Sequence, residues 1–543
     1  MVELNGPWLA APADEDLRRA YPAADFDDDG WQPVDMPGSW PSPMLLRHRF
    51  TLDASTDAVN GKRWWLRFDD VHGQADVWLD GGYVGDLEGP YVAHTFEVTD
   101  QVAAASEHVL AMEVTAATSL AAGVRRSISV HPTGPVAIRS LRVLCLEATA
   151  ERALLSFAAS VDAHEAVDAS FLTTVGPGGR SSATSWHGTE HEEEQRLAAG
   201  VNRVEWRVAV EAPPLWWPHA LGPSHLIDVA VSVRLDAGEG DGDGDRDGSE
   251  SDRRALRTGI RQVRMRNWIA SVNGERLFLK GATFDGECEL LPMKEQGFDL
   301  LLVAGHVASP ELYDEADHHG MLLWQDVPVA WGWARGVRRQ SVTQATAIVD
   351  TLGHRPSIAA WCSPDGGGLQ RAIEKADRSR PAVTVAAWEH EERDLARVAA
   401  LWPSAVRFTT AADRRDAETL RRLKYRPTGG FLAGEPGPAI APVIVVADQP
   451  DATYTPGEAI ALDVHVVNDL RTPLTGMVVH ARLSWPGGGH TWGWTGDAPA
   501  DSCVLVGTVQ AVAPDAEGPL TLELTLAGDG AKAENRYESD VRR

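Results

Sequence analysis

The chain has 543 residues, with 50 basic and 78 acidic side chains and a formal net charge of −28. That balance excludes a protein that coats nucleic acid, which needs a basic face. The longest apolar run, 441–447, falls far short of the roughly 18 residues a membrane helix needs.

At roughly 150 residues per domain the length predicts three to four domains. The opening residues, Met1 to Trp8, show no basic stretch leading into an apolar one, so a cytoplasmic protein with no membrane partner is expected. Four cysteines, Cys145, Cys288, Cys362 and Cys503, are widely spaced with no CxxC pair. This is neither a disulfide framework nor a zinc-ligand spacing, and four independent thiols are expected, with no metal and no cofactor.

The first 150 residues alternate apolar and polar side chains with period two, as in 63–68, 75–79, 91–98 and 108–114. Asp80-Gly81-Gly82 between two such runs is a hairpin signal, and the region 1–150 reads as a β-sandwich. Residues 151–270 continue in the same style and predict a second sandwich. Tryptophan, at 20 residues, outnumbers phenylalanine and tyrosine, and most of it is expected in sandwich cores. Within the second sandwich lies an acidic insertion, 236–253. It resembles a calcium loop starting at Asp243, but the twelfth position is Arg254 where a bidentate Glu is required. A solvated, disordered hairpin insertion is the expected reading.

From 271 the pattern changes. Phe298–Ala304 and Met321–Asp326 are continuous apolar runs of the fully buried parallel type, and Ser357–Cys362 is a third strand. Pro310 to Gly320, Ser341 to Leu352 and Gln370 to Ala376 read as helices between them, so 271–440 predicts parallel βα units. After Pro442 alternation returns, as in 460–467 and 520–526, and predicts a third sandwich over 441–543.

Taken in order, several short motifs resemble glycoside hydrolase family two, in particular its β-mannosidase-like branch. Leu4-Asn-Gly-Pro-Trp8, Pro37-Gly-Ser-Trp40 and the run 78–86 resemble the family's jelly-roll domain. The runs 215–222 and 259–263 resemble its immunoglobulin-like domain, and 273–281 resembles the entry into the barrel. The pieces 311–317, 323–326 and 355–362, followed by Asp377-Arg-Ser-Arg-Pro381, are similar to barrel segments. The resemblance implies a jelly-roll sandwich, an immunoglobulin-like sandwich, a (β/α) TIM-type barrel and a C-terminal immunoglobulin-like sandwich. Residues 271–435 are about 165 in number. A full eight-unit barrel typically takes roughly 250, so a shortened barrel is expected.

The family's chemistry needs two carboxylic acids at the C-terminal ends of barrel strands, roughly 5–5.5 Å apart in retaining enzymes. The resemblance puts the acid/base at Gly366, in Trp361-Cys-Ser-Pro-Asp-Gly366, and the nucleophile at Ala411, in Arg407-Phe-Thr-Thr-Ala-Ala-Asp413. Neither residue can transfer a proton or attack an anomeric carbon. Asp365 and Asp413 are the candidate substitutes, Asp413 because two steps along a strand keep it on the face of Ala411. His306, Trp324, Asp326, Trp331, Trp333 and Trp361 are candidates for contact with a sugar at the barrel mouth. Adjacent His318 and His319 point about 100° apart on a helix and cannot chelate a metal together. The expected partner is a carbohydrate, a β-glycoside or oligosaccharide. Three functions follow from these residues: a catalytically impaired, carbohydrate-binding pseudoenzyme; an active retaining β-glycosidase using displaced carboxylates; and a structural multi-domain scaffold.

Overall fold

Alternating side chains dictate the first layer of structure. In the strand Arg152–Ala163 every second residue is buried, and it runs between Val136–Ala148 and Gly200–Glu211. The computed structural model describes residues 1–52, 61–89, 91–115, 122–178, 186–235, 249–284, 286, 289–329, 335–363, 367–384, 395–434, 437–528 and 530–543. The first sandwich packs a six-stranded sheet on a four-stranded one around Trp8, Trp64, Phe68 and Leu110. Its hairpin turns at Asp80 and Gly81, both at positive φ, as the hairpin signal predicts. The second sandwich stacks Trp206 on Phe157 at 5.2 Å in its core.

The boundary between these two sandwiches falls near residue 135, earlier than the expected 150. Val136–Ala148 pairs with Arg152–Ala163, and its apolar side chains join the second core. The acidic insertion is also shorter than expected at its end: Ser249–Thr258 is a strand paired with Ile227–Leu235, while 236–248 lies outside the described residues.

The third unit is a run of βα repeats. We number its strands β1 (Leu279–Phe284), β2 (Leu300–Val303), β3 (Leu322–Asp326), β4 (Ile358–Ser363), β5 (Ala382–Thr384), β6 (Phe408–Ala411) and β7 (Gly430–Ala433). The helices are α1 (Leu290–Gln296), α2 (Pro310–His319), α3 (Arg335–Leu352), α4 (Gly368–Ala376), α5 (Leu395–Leu401) and α6 (Arg414–Arg422). Helix α2 ends where the sequence says, on Gly320 in the left-handed conformation at φ 70°. All strand pairs are parallel, in the order β5-β4-β3-β2-β1-β7-β6. Pairing of β1 with β7 is the seam of a barrel, and the sheet is open between β5 and β6. Among the described residues this makes a seven-stranded barrel with a gap in its wall, in place of eight closed strands.

Two apolar layers follow from strand periodicity. Leu279, Leu300, Leu302, Leu322, Trp324, Cys362, Phe408 and Leu432 fill the inside. Phe284, Leu301, Val303, Leu323, Trp361, Ala411 and Phe431 face the helices. Gly281 is required on β1: a Cβ there would stand 2.7 Å from Leu432 Cδ2 and 3.1 Å from Leu300 Cδ2, so only glycine lets the interior close. A three-stranded ribbon, Val263–Arg266, Ile269–Val272 and Glu275–Leu277, packs under the N-terminal strand ends. The C-terminal sandwich packs three strands on five around Val464, Val466, Leu522 and Leu524. Trp492 and Trp494 lie half-buried against that core.

Candidate active site

In a parallel barrel the chemistry sits at the C-terminal strand ends. The inward-facing residues there are Thr283 on β1, Asp326 on β3, Cys362 on β4 and Thr410 on β6. Thr283 is exposed although it is in mid-strand, so the upper interior is open to solvent. Among the described strand residues that face inward, Asp326 is the one carboxylate.

Asp326 ends β3 two positions after buried Trp324, which sets its side chain inward. The loop after β2 holds it: the Gly305 N–H donates to its Oδ2 at 2.9 Å. That loop is itself anchored from the outward face of β3. Gln325 donates through Nε2 to the carbonyl of His306 at 2.8 Å, and its Oε1 accepts from the Tyr313 hydroxyl at 2.5 Å. The first sandwich reaches the same loop through Tyr91, whose hydroxyl meets the Val307 backbone. Burial pushes the Asp326 carboxyl above its ordinary value, and the Gly305 and Val327 N–H groups offset this only in part. Cys362 stands beside Asp326 in the strand register and is fully buried. Its thiol is held well above the usual range, first by burial and then by Asp326, so it is a protonated, unreactive neighbour.

The other residues expected at the mouth go elsewhere. Trp324 has no exposed surface and lies inside the lower barrel, 4.5 Å from Phe408 and 6.1 Å from Trp268 between ring centres. It fills the barrel and cannot stack on a ligand. Trp361 is likewise fully buried and faces the helices, its indole N–H donating to Asp377 at 2.8 Å. The Asp377-Arg-Ser-Arg-Pro381 segment therefore braces β4 from outside. His306 does lie at the mouth, half-buried, with Nδ1 on the Ala304 carbonyl at 2.9 Å and its ring stacked on Phe284. Trp331, Trp333, Asp365 and Gly366 lie outside the described residues.

Ala411 ends β6, level with Ala433 of β7, but its methyl faces the helices; Thr410 is the residue turned inward. Neither has a carboxylate. Asp413 does not continue the strand as the sequence suggested. It is the N-cap of α6, accepting from the Asp416 N–H at 3.0 Å, and it lines a surface groove with Arg536 and Glu538 of the last sandwich. Among the described residues no three His, Cys, Asp or Glu side chains gather as metal ligands. Sequence reading missed Gln325, Tyr313 and Tyr91, which position the mouth loop; strand parity at Gln325 was the available signal for the first.

The comparisons with known proteins agree with this architecture. Residues 41–141 match the family model described as glycosyl hydrolase 2 galactose-binding domain-like. β-Mannosidase B of Aspergillus clavatus is 23% identical over 358 residues, 55% of this chain and 41% of that protein. Exo-β-D-glucosaminidase of Amycolatopsis orientalis is 24% identical over 313 residues, 50% of this chain and 28% of its own length. The chain thus spans less than half the length of these curated relatives. A variant of Amycolatopsis orientalis exo-chitosanase, solved in complex with PNP-β-D-glucosamine, superimposes with a TM-score of 0.77 at 16% identity. That match covers 100% of this chain and 85% of the other. In domain order, fold and sequence the chain is thus similar to members of glycoside hydrolase family two, and residues 41–141 match that family's galactose-binding-like domain.

Proposed function

We propose that this protein is a catalytically impaired family-two relative that binds a β-linked carbohydrate at the barrel mouth without efficient hydrolysis. One observation carries the reading: the inward-facing strand ends offer a single described carboxylate, Asp326, where retention needs a pair roughly 5–5.5 Å apart. Thr410 occupies the inward position at the end of β6, and a threonine there supplies no nucleophile of the required kind. What remains at the mouth suits recognition: a carboxyl group and a histidine that hydrogen-bond hydroxyls, beside the exposed hydroxyl of Thr283. The relatives named for β-mannosides and β-glucosaminides support a β-linked sugar as the ligand class.

The test is hydrolysis of a panel of nitrophenyl β-glycosides by the full chain, with Asp365→Ala and Asp326→Asn beside it, together with calorimetric titration of the same sugars. Saturable binding with a flat hydrolysis trace is the expected result. Turnover well above the Asp365→Ala protein would replace this reading with an active glycosidase using a relocated acid. Absence of both binding and turnover would leave the scaffold function.

A further inference from the structure

Away from the barrel mouth, a cleft of about 470 Å³ opens where the first sandwich, the second sandwich and the end of α3 meet. That volume lies in the range of small-molecule sites. In a chain of net charge −28, this cleft gathers Arg67, Arg254 and His131, alongside Glu3, Asp69 and Asp350. Arg67 and His131 come from neighbouring strands of the first sandwich; Ser129 is directly opposite Arg67, and His131 stands two residues further on the same face. Arg254 comes from the second sandwich.

Arg254 is half-buried and has no carboxylate within 4 Å among the described residues. Its Nε and Nη2 donate to the Ile138 carbonyl at 3.2 and 3.0 Å, and Nη2 reaches His131 Nε2 at 3.5 Å. Its Nη1 makes none of these bonds. Arg67 holds Asp69 through Nε at 2.6 Å, which leaves its terminal nitrogens to the cleft. His131 is 7% exposed, and its Nδ1 is buried without a hydrogen-bond partner. Burial first, then Arg254 and Arg67, push this imidazole down to about 4, so it is neutral near pH 7. With Nε2 facing the Arg254 donor, the neutral ring carries its proton on Nδ1, the atom that lacks an acceptor.

The acids on the cleft are already engaged. Asp69 is taken by Arg67 and by the Ser127 hydroxyl at 2.6 Å, and Asp350 by Arg142 at 2.8 Å; Glu3 is at the exposed rim. Asp69 and Asp252 act on Arg254 from nearby, but neither pairs with it directly, so an anion in the cleft would give its guanidinium a partner of its own. Guanidinium forks match phosphate oxygens two at a time, and a dianion satisfies two forks where a single carboxylate satisfies one.

We propose that this cleft binds a phosphate group, either free phosphate or that of a small phosphorylated molecule of about monosaccharide size, held by Arg254 and Arg67, with His131 against the Arg254 fork as a positioning residue. The site is independent of the function assigned to the barrel mouth.

Calorimetric titration of the full chain with inorganic phosphate, glucose 6-phosphate and glucose tests it. Saturable heat is expected from the phosphorylated probes and none from glucose. Tighter binding of glucose 6-phosphate than of phosphate assigns the site to a phosphorylated molecule, and equal binding assigns it to the free anion. Arg254→Met should weaken binding about ten- to a hundredfold, the size of a lost charged hydrogen bond. Arg254→Lys, which keeps the charge but not the fork, should fall between. His131→Gln gives a second reading should the arginine variants fail to fold, with weaker binding again expected. No saturable heat from either phosphate at millimolar concentration, or unchanged affinity in folded Arg254→Met, would overturn the proposal.

Discussion

At the N-terminal end of the barrel the strands start among buried ion pairs, whereas at the C-terminal end the described inward residues finish in threonines, a cysteine and one carboxyl group. Asp469 of the last sandwich accepts from Lys280 at 2.9 Å, Arg421 at 2.6 Å and Lys424 at 2.8 Å, fastening that sandwich to β1 and α6. Burial alone would raise the Asp469 carboxyl; the three cations override this and hold it below the usual carboxylate range. The start of β4 is held in the same way. Arg380 donates to the Gly353 carbonyl at 2.6 Å and pairs with Asp377 at 2.8 Å, while Arg261 donates to the Pro356 and Ile358 carbonyls at 2.7 and 2.6 Å. Among the described residues nothing comparable surrounds Asp326, whose carboxyl accepts from backbone N–H groups. The two ends of the barrel are thus built differently: side-chain ion pairs hold the N-terminal end, and backbone N–H groups hold the one inward carboxyl group described at the other.

This contrast is sharpest at Asp469. Asp469→Ala removes the acid shared by three buried cations, leaving Arg421 without it while Lys280 keeps Asp299 and Lys424 keeps Asp501, and should cost about 3–5 kcal/mol, read from the urea midpoint. A loss under about 1 kcal/mol would show that the N-terminal network is ornamental. Trp361→Phe removes one buried donor from Asp377 while keeping most of the packing, and about 1–2 kcal/mol is expected by the same measurement.

Acid should act on the N-terminal end first. Asp469 and Asp377 both titrate below their unfolded values, Asp377 because Arg380 and the Ser379 and Trp361 bonds outweigh its burial. Their contribution is present above the unfolded carboxylate range and is lost as pH falls through and below about 4. Stability followed by denaturation against pH should therefore drop there, and much less so in Asp469→Ala.

The smallest effect is expected at the mouth. The Asp326 carboxyl is raised, so its charged form opposes folding at neutral pH and that cost is relieved on acidification. Asp326→Asn should leave stability at pH 7 unchanged within about 0.5 kcal/mol or slightly higher. A loss of 2 kcal/mol, roughly four times that margin, would mean the mouth is as much a part of the fold's support as the other end.

Much of this was legible one strand at a time. The alternating runs, the Asp80-Gly81 turn and Pro310 with Gly320 at the ends of α2 each reflect local backbone preferences, and each stands where the residues say. The candidate site was less legible because it depends on which face each strand turns inward. β4 carries an irregularity between its pairs Leu323–Ile358 and Trp324–Ala360, which sets Trp361 outward and Cys362 inward. On β6 the parity places Thr410 inside and Ala411 outside, so the residue matched by motif is not the one that faces the site. A slip of one residue exchanges the two faces of a strand, and no short motif records that choice.

By itself the sequence determined the order of the sandwiches and βα units and the absence of glutamate at residues 366 and 411. Residue identity and local periodicity are sufficient for both. Only the tertiary structure decided that Trp324 and Trp361 are packing, that Asp413 caps a helix, and that Arg67, His131 and Arg254 share one cleft. Those assignments depend on sheet curvature and on the meeting of segments more than a hundred residues apart, which no local preference encodes.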